Sequence, residues 1–112
     1  MSHMPSDAGY IVVTTTVEDD LDAKRMADSL VRSRLAACVH ITKIKSIYRW
    51  KGQIEDVMEY QLRIKTSARH QEALIEFIKN EHTYEVPQIT VTPMTGGNAE
   101  YLDWIDAETS DA

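Results

Sequence analysis

The chain has 112 residues, 43% of them hydrophobic and 27% charged, with a net charge of −6 and a single cysteine. That length holds one domain, able to bury a core but only marginally stable by itself. The acidic balance argues against nucleic-acid binding, no apolar run nears membrane-spanning length, no signal-peptide pattern is visible, and a lone cysteine suits a reducing cytoplasm.

Met1-Ser2-His3-Met4 reads as an expression remnant ahead of a second start Met. Residues 1–8 are therefore set outside the fold, the domain is expected over 9–107, and 108–112 are expected to form a loose tail. Tyr10 to Val17 is β-branched throughout and too apolar at its start for an edge, which predicts a central strand. Glu18-Asp19-Asp20 then places negative charge where a helix N-terminus favours it. Ala23, Met26, Ala27, Leu30, Val31 and Leu35 follow at helical spacing, with Arg32 and Arg34 near the C-terminal end.

Cys38 to Thr66 reads as one very long β-hairpin. In its second arm Met58, Tyr60, Leu62 and Ile64 alternate with Glu59, Gln61, Arg63 and Lys65, the period of a strand with one apolar and one wet face. In the first arm Val39 and Ile41 share a side, Ile44 falls on the other and Ile47 returns, which predicts a bulge or apolar burial on both faces. Lys51-Gly52-Gln53 supplies the turn. Arms of this size extend roughly 35–45 Å, against a radius of gyration of about 13–14 Å for a compact chain this long. The hairpin is thus expected to project and to be completed by neighbouring copies, the alternative being a coiled hairpin folded over a monomeric core. It carries six cations (Lys43, Lys45, Arg49, Lys51, Arg63, Lys65) against three anions (Glu55, Asp56, Glu59), a basic arm on an acidic body. Such charge fits a head-to-tail ring, or is solvated with no specific partner.

Thr66 and Ser67 offer caps for a second helix to about Asn80, with Leu74, Ile75, Phe77 and Ile78 on its buried side. A last strand is expected over Gln88 to Thr92, with Pro87 and Pro93 marking an edge or strand ends. Asn98 can cap a short helix in which Tyr101, Leu102 and Ile105 pack and Trp104 reaches outward. The order β-α-β-β-α-β with an appended helix gives an α+β, ferredoxin-like sandwich with both helices on one sheet face. No third layer is evident for the other face, which again points to self-association.

Five stretches carry a resemblance: Arg34-Leu35-Ala36-Ala37-Cys38-Val39, Ser46 through Gly52, Ile64-Lys65-Thr66, His82-Thr83-Tyr84-Glu85-Val86-Pro87, and Gly97-Asn98 ahead of Tyr101-Leu102. In that order, from about Tyr10 to Ile105, they resemble the CutA divalent-cation tolerance family. The resemblance implies a ferredoxin-like homotrimer similar in architecture to PII-type signalling trimers, with a link to tolerance of copper and other divalent cations. His40, Thr83 and Gln88 stand where the family usually has Asn, Pro and Glu, and Tyr48-Arg49-Trp50 where an aromatic cluster is common.

Cys38 matches the family cysteine proposed as a metal ligand, and His40, two residues on, leaves the same strand face roughly 6–7 Å away. Thiolate with imidazole suits copper or zinc rather than calcium or magnesium. A strand cysteine after Leu35-Ala36-Ala37 also fits a small buried hydrophobe. His82 is the second metal candidate by its match to the family's motif, with Glu85 as an oxygen donor; the alternative is an imidazole that meets free carbonyls at a helix end. Trp50, Glu59, Lys65 and Tyr84 match residues lining the family's inter-subunit cleft, which would suit a small anionic or aromatic ligand. Exposed strand residues and an interface anchor at Trp50 are the alternative. With glycine only at positions 9, 52, 96 and 97 there is no phosphate-cradling loop, and no nucleophile-elbow pattern, so an enzyme is the least supported class.

Overall fold

The computed structural model describes residues 9–110, so the expected remnant over 1–8 and the last two residues lie outside what is described. The elements run β1 (Tyr10–Val17), α1 (Asp20–Arg32), β2 (Cys38–Trp50), β3 (Gln53–Ser67), a 3-10 turn (Ala68–His70), α2 (Gln71–Glu81), β4 (Thr90–Met94) and α3 (Ala99–Glu108). The four strands form one antiparallel sheet in the order β2-β3-β1-β4, with β1 interior as its composition predicts.

Local chemistry sets the ends. The Asp19 carboxylate accepts from the Asp22 amide at 2.8 Å and starts α1. At the other end the Leu35 and Arg34 amides donate back to the Leu30 and Val31 carbonyls, with Arg34 at φ +63° where glycine is usual. Its guanidinium donates to the Glu108 carbonyl at 3.2 Å. β4 begins at Thr90 and continues through Pro93, tolerated because β4 is an edge strand.

Ile11, Val13 and Val17 share one sheet face with Leu62 and Ile64, and they bury against Ala23, Met26 and Leu30 of α1 and Leu74 and Ile78 of α2. Both helices therefore cover the same face. The reverse face is not bare, contrary to expectation: α3 docks on one end of it. There Ser67 donates to Asp106, Arg69 forms an ion pair with the same carboxylate, and Ile105 is fully buried. Ser67 thus spends its hydroxyl on α3 rather than on capping α2, which begins through the 3-10 turn instead. Thr109, expected in a loose tail, is buried; its hydroxyl meets Ser67 at 3.2 Å and its carbonyl meets the His70 ring at 2.7 Å.

The hairpin register is unbroken from Cys38 opposite Lys65 to Trp50 opposite Gln53. The parity change in β2 is therefore no bulge: Val39 is half-buried on the helix face and Ile44 half-buried on the reverse face. Lys51 (φ +50°) and Gly52 (φ +81°) close the hairpin in a two-residue type I′ turn, whose twist matches the strands it joins. β1 accompanies β3 only from Tyr60 to Ser67, so Gln53 to Glu59 has β2 alone beside it. This two-stranded ribbon leaves Ile47 and Ile54 at 68% and 60% exposure and stretches the molecule to 45 × 30 × 26 Å.

Candidate functional site

A cleft lies where the segment after α2 crosses this ribbon. It holds about 660 Å3, within the ordinary range for a small-molecule site, and Thr16, Tyr48, Trp50, Glu59, Tyr84 and Glu85 are among its lining. Strand alternation puts Tyr48 and Trp50 on the reverse face with Glu59, while Tyr84 arrives from the crossing segment.

That segment is pinned by its own side chains. The His82 amide donates to Ile78 at the end of α2, and the ring then works from both nitrogens. Nε2 lies 2.7 Å from the Thr16 carbonyl, which can only accept, and Nδ1 accepts from the Tyr84 amide at 3.0 Å. The imidazole is thereby fixed as its neutral Nε2–H tautomer. The Tyr84 ring packs 4.7 Å from it, and the phenol donates to Glu59 Oε2 at 2.7 Å. Glu59 is 5% exposed, a carboxylate sunk into the cleft wall. Burial first, and then the hydrogen bond and charge of Glu59, raise the Tyr84 phenol well above the usual tyrosine range, so it stays a donor.

The residues named from the sequence divide into four groups. Trp50, Glu59 and Tyr84 come together as the cleft. Within one chain Lys65 does not join them: it lies six residues from Glu59 along β3, about 20 Å, and its ammonium sits 5.4 Å over the Tyr101 ring and 3.4 Å from that phenol. Cys38 and His40 share the reverse face of β2, Cys38 half-buried and His40 exposed. Cys38 is opposite Lys65, while His82 is bonded to Thr16, itself opposite Gln61, so within one chain the two do not meet. Glu85 turns to Lys51 at 3.6 Å rather than to His82. Among the described residues no three Asp, Glu, His or Cys side chains gather as a metal site. Tyr48 and Thr16 were not singled out as cleft residues; the period-two spacing from Tyr48 to Trp50 is the signal that could have placed Tyr48 there.

The CutA1 divalent ion tolerance family profile matches residues 11–108. The divalent-cation tolerance protein CutA of Pectobacterium atrosepticum is 41% identical over 98 residues, 87% of this chain and 89% of that protein. Among solved structures, CutA1 of Oryza sativa superposes with a TM-score of 0.89 at 38% identity, covering 96% of this chain and 99% of that one. The divalent cation tolerance protein of Thermus thermophilus gives 0.86 at 41% identity, covering 90% and 99%. The match spans the sheet, all three helices and the segment that builds the cleft, and the chain belongs to the CutA1 divalent ion tolerance family.

Proposed function

We propose that this protein serves divalent-cation tolerance as a cytoplasmic homotrimer that binds a soft cation, copper first, and that it is a binding module rather than an enzyme. The observation that carries this reading is the Cys38–His40 pair. Its thiol and imidazole leave one face of an edge strand, and among the described residues no hydrogen bond engages either. Sulfur and imidazole nitrogen together favour copper or zinc over hard cations. Among the described residues one chain brings only these two donors together, so the remainder come from other copies. His82 and Glu85 hold the crossing segment and the turn instead. Support for assembly comes from the exposed apolar ribbon, an unpaired edge of the kind that chains cover by association. In copper titrations Cys38→Ser and His40→Ala are expected to lose the tight site, and His82→Ala to keep its stoichiometry at a lower melting temperature. Undiminished binding in the first two variants would falsify the assignment.

The cleft supports a second reading, a PII-like signalling or adaptor trimer whose cleft takes a small ligand. A buried carboxylate, a phenol and an indole converge on a preformed hollow, as ligand sites require. Screening small molecules by the melting temperature of the parent protein tests it, and a complete absence of hits removes it.

A further inference from the structure

The crossing segment is a wall with two sides. Thr83 borders both the cleft on the reverse face and a smaller groove of about 190 Å3 on the helix face. His82 lines that groove with Asp22, Arg25 and Ser29 of α1 and Phe77 and Glu81 of α2, and it is not among the cleft's lining. The ring is half-buried, and the groove brings solvent to it. The hydrogen bonds that fix it lie inside one chain, whatever ligand or neighbouring copy the cleft holds.

Only the neutral ring satisfies both of its partners. A proton added at Nδ1 leaves the Nε2–H bond to the Thr16 carbonyl intact, but it turns the acceptor of the Tyr84 amide into a second donor facing it. One partner must then move, and Tyr84 is the freer. Thr16 is held within β1 opposite Gln61, whereas Tyr84 lies in the irregular segment between α2 and β4. Displacing Tyr84 draws its phenol off the Glu59 carboxylate in the cleft wall. The charged groups around the ring are Asp22, Arg25 and Glu81 in the groove, with Arg25 3.9 Å from Asp22. Beyond Tyr84 stands Glu59, with Glu18 and Tyr48 near enough to act on the same phenol, while Glu85 is turned to Lys51. We propose that His82 is a proton-operated clasp: protonation from the helix side releases Tyr84 and loosens the cleft wall on the reverse face.

The full chain, isotope-labelled at its nitrogens, is followed by NMR through a pH titration. The neutral His82 ring should report the Nε2–H tautomer. As it takes up a proton, exchange of the Tyr84 amide, corrected for intrinsic rates, should quicken by roughly tenfold for the lost hydrogen bond. The Trp50 indole in the cleft should shift with the same midpoint, while Trp104 on α3 stays still. His82→Asn, whose side-chain carbonyl can take the amide two residues on but does not titrate, should abolish both responses. Ile54→Asp, chosen to separate the copies, should keep them. A ring that stays neutral until the chain unfolds overturns the clasp, as does a protonated ring beside an undisturbed Tyr84 amide or a Trp50 response that survives in His82→Asn. An amide that quickens while Trp50 stays still overturns the link to the cleft. Responses lost from a folded, single-copy Ile54→Asp chain overturn their origin within one chain.

Discussion

Inner β3, from Tyr60 to Ser67, has β1 on one side and β2 on the other, whereas outer β3, from Gln53 to Glu59, has β2 alone. The two halves follow the same alternation: Ile54 and Met58 continue the series of Leu62 and Ile64 without a break in register. Yet Leu62 and Ile64 are 0% exposed, while Ile54 and Met58 are 60% and 46% exposed. Period two therefore assigns a side chain to a face of the sheet, and what covers that face decides whether it is buried. α1 and α2 cover the inner half; among the described residues nothing covers the same face of the outer half. The reverse face of the outer half is where the segment carrying Tyr84 crosses, and there the buried carboxylate and aromatic rings form the cleft.

Substitutions on the two halves should separate these roles. Leu62→Ala leaves a hole among fully buried neighbours and should lower stability by about 2–5 kcal/mol in chemical denaturation. Ile54→Asp, in phase on the same strand, should keep the circular-dichroism spectrum and reduce the sedimenting mass instead. An unfolded Ile54→Asp chain would mean that the outer half is core, and the contrast would be lost.

Tyr84→Phe probes the junction between the halves. It strips a hydrogen bond from the buried Glu59 carboxylate and should cost roughly 1–3 kcal/mol. The phenol's raised pKa gives the pH dependence. The folded chain holds that proton more tightly than the unfolded one, so the contribution is complete below the ordinary tyrosine value of 10 and is lost as pH rises beyond it. The stability gap between parent and Tyr84→Phe should accordingly narrow above pH 10. A gap that stays constant there would contradict the role given to Glu59 and Tyr84.

The smallest effect belongs to the inner end, where α3 docks. Hydrogen bonds from Arg69 and then Ser67 hold the Asp106 carboxyl below its usual value of 3.8. A lowered pKa contributes stability that is present above that value and disappears as pH falls through the depressed one. Amide exchange along α3 should quicken as pH falls through that depressed value, after correction for intrinsic rates. Asp106→Asn should exchange faster than the parent at neutral pH, with the difference vanishing in acid.

Much of this was legible before any coordinates, and what was missed has a physical reason. The hairpin, its turn at Lys51-Gly52, the central strand, the acidic start of α1 at Glu18-Asp19-Asp20 and the cap at Asn98 rest on short-range rules, and each is present. The α3 dock depends on pairs such as Ser67 with Asp106 and His70 with Thr109, 39 residues apart in each case, and no local pattern announces them. The same holds for His82, whose sequence neighbourhood suggests a ligand but whose ring lies between the Thr16 carbonyl and the Tyr84 amide. Lys65 was expected in a cleft between subunits, and its six-residue offset from Glu59 along one strand, about 20 Å, is the spacing by which a cleft holding both would draw them from different copies.

The most direct test of the account is sedimentation equilibrium of the parent protein at low micromolar concentration, beside Ile47→Asp and Ile54→Asp. If outer β3 is completed by sister chains, the parent sediments at three times the chain mass and the variants shift toward one. A parent that sediments as one well-behaved chain, with its ribbon still formed, would contradict it.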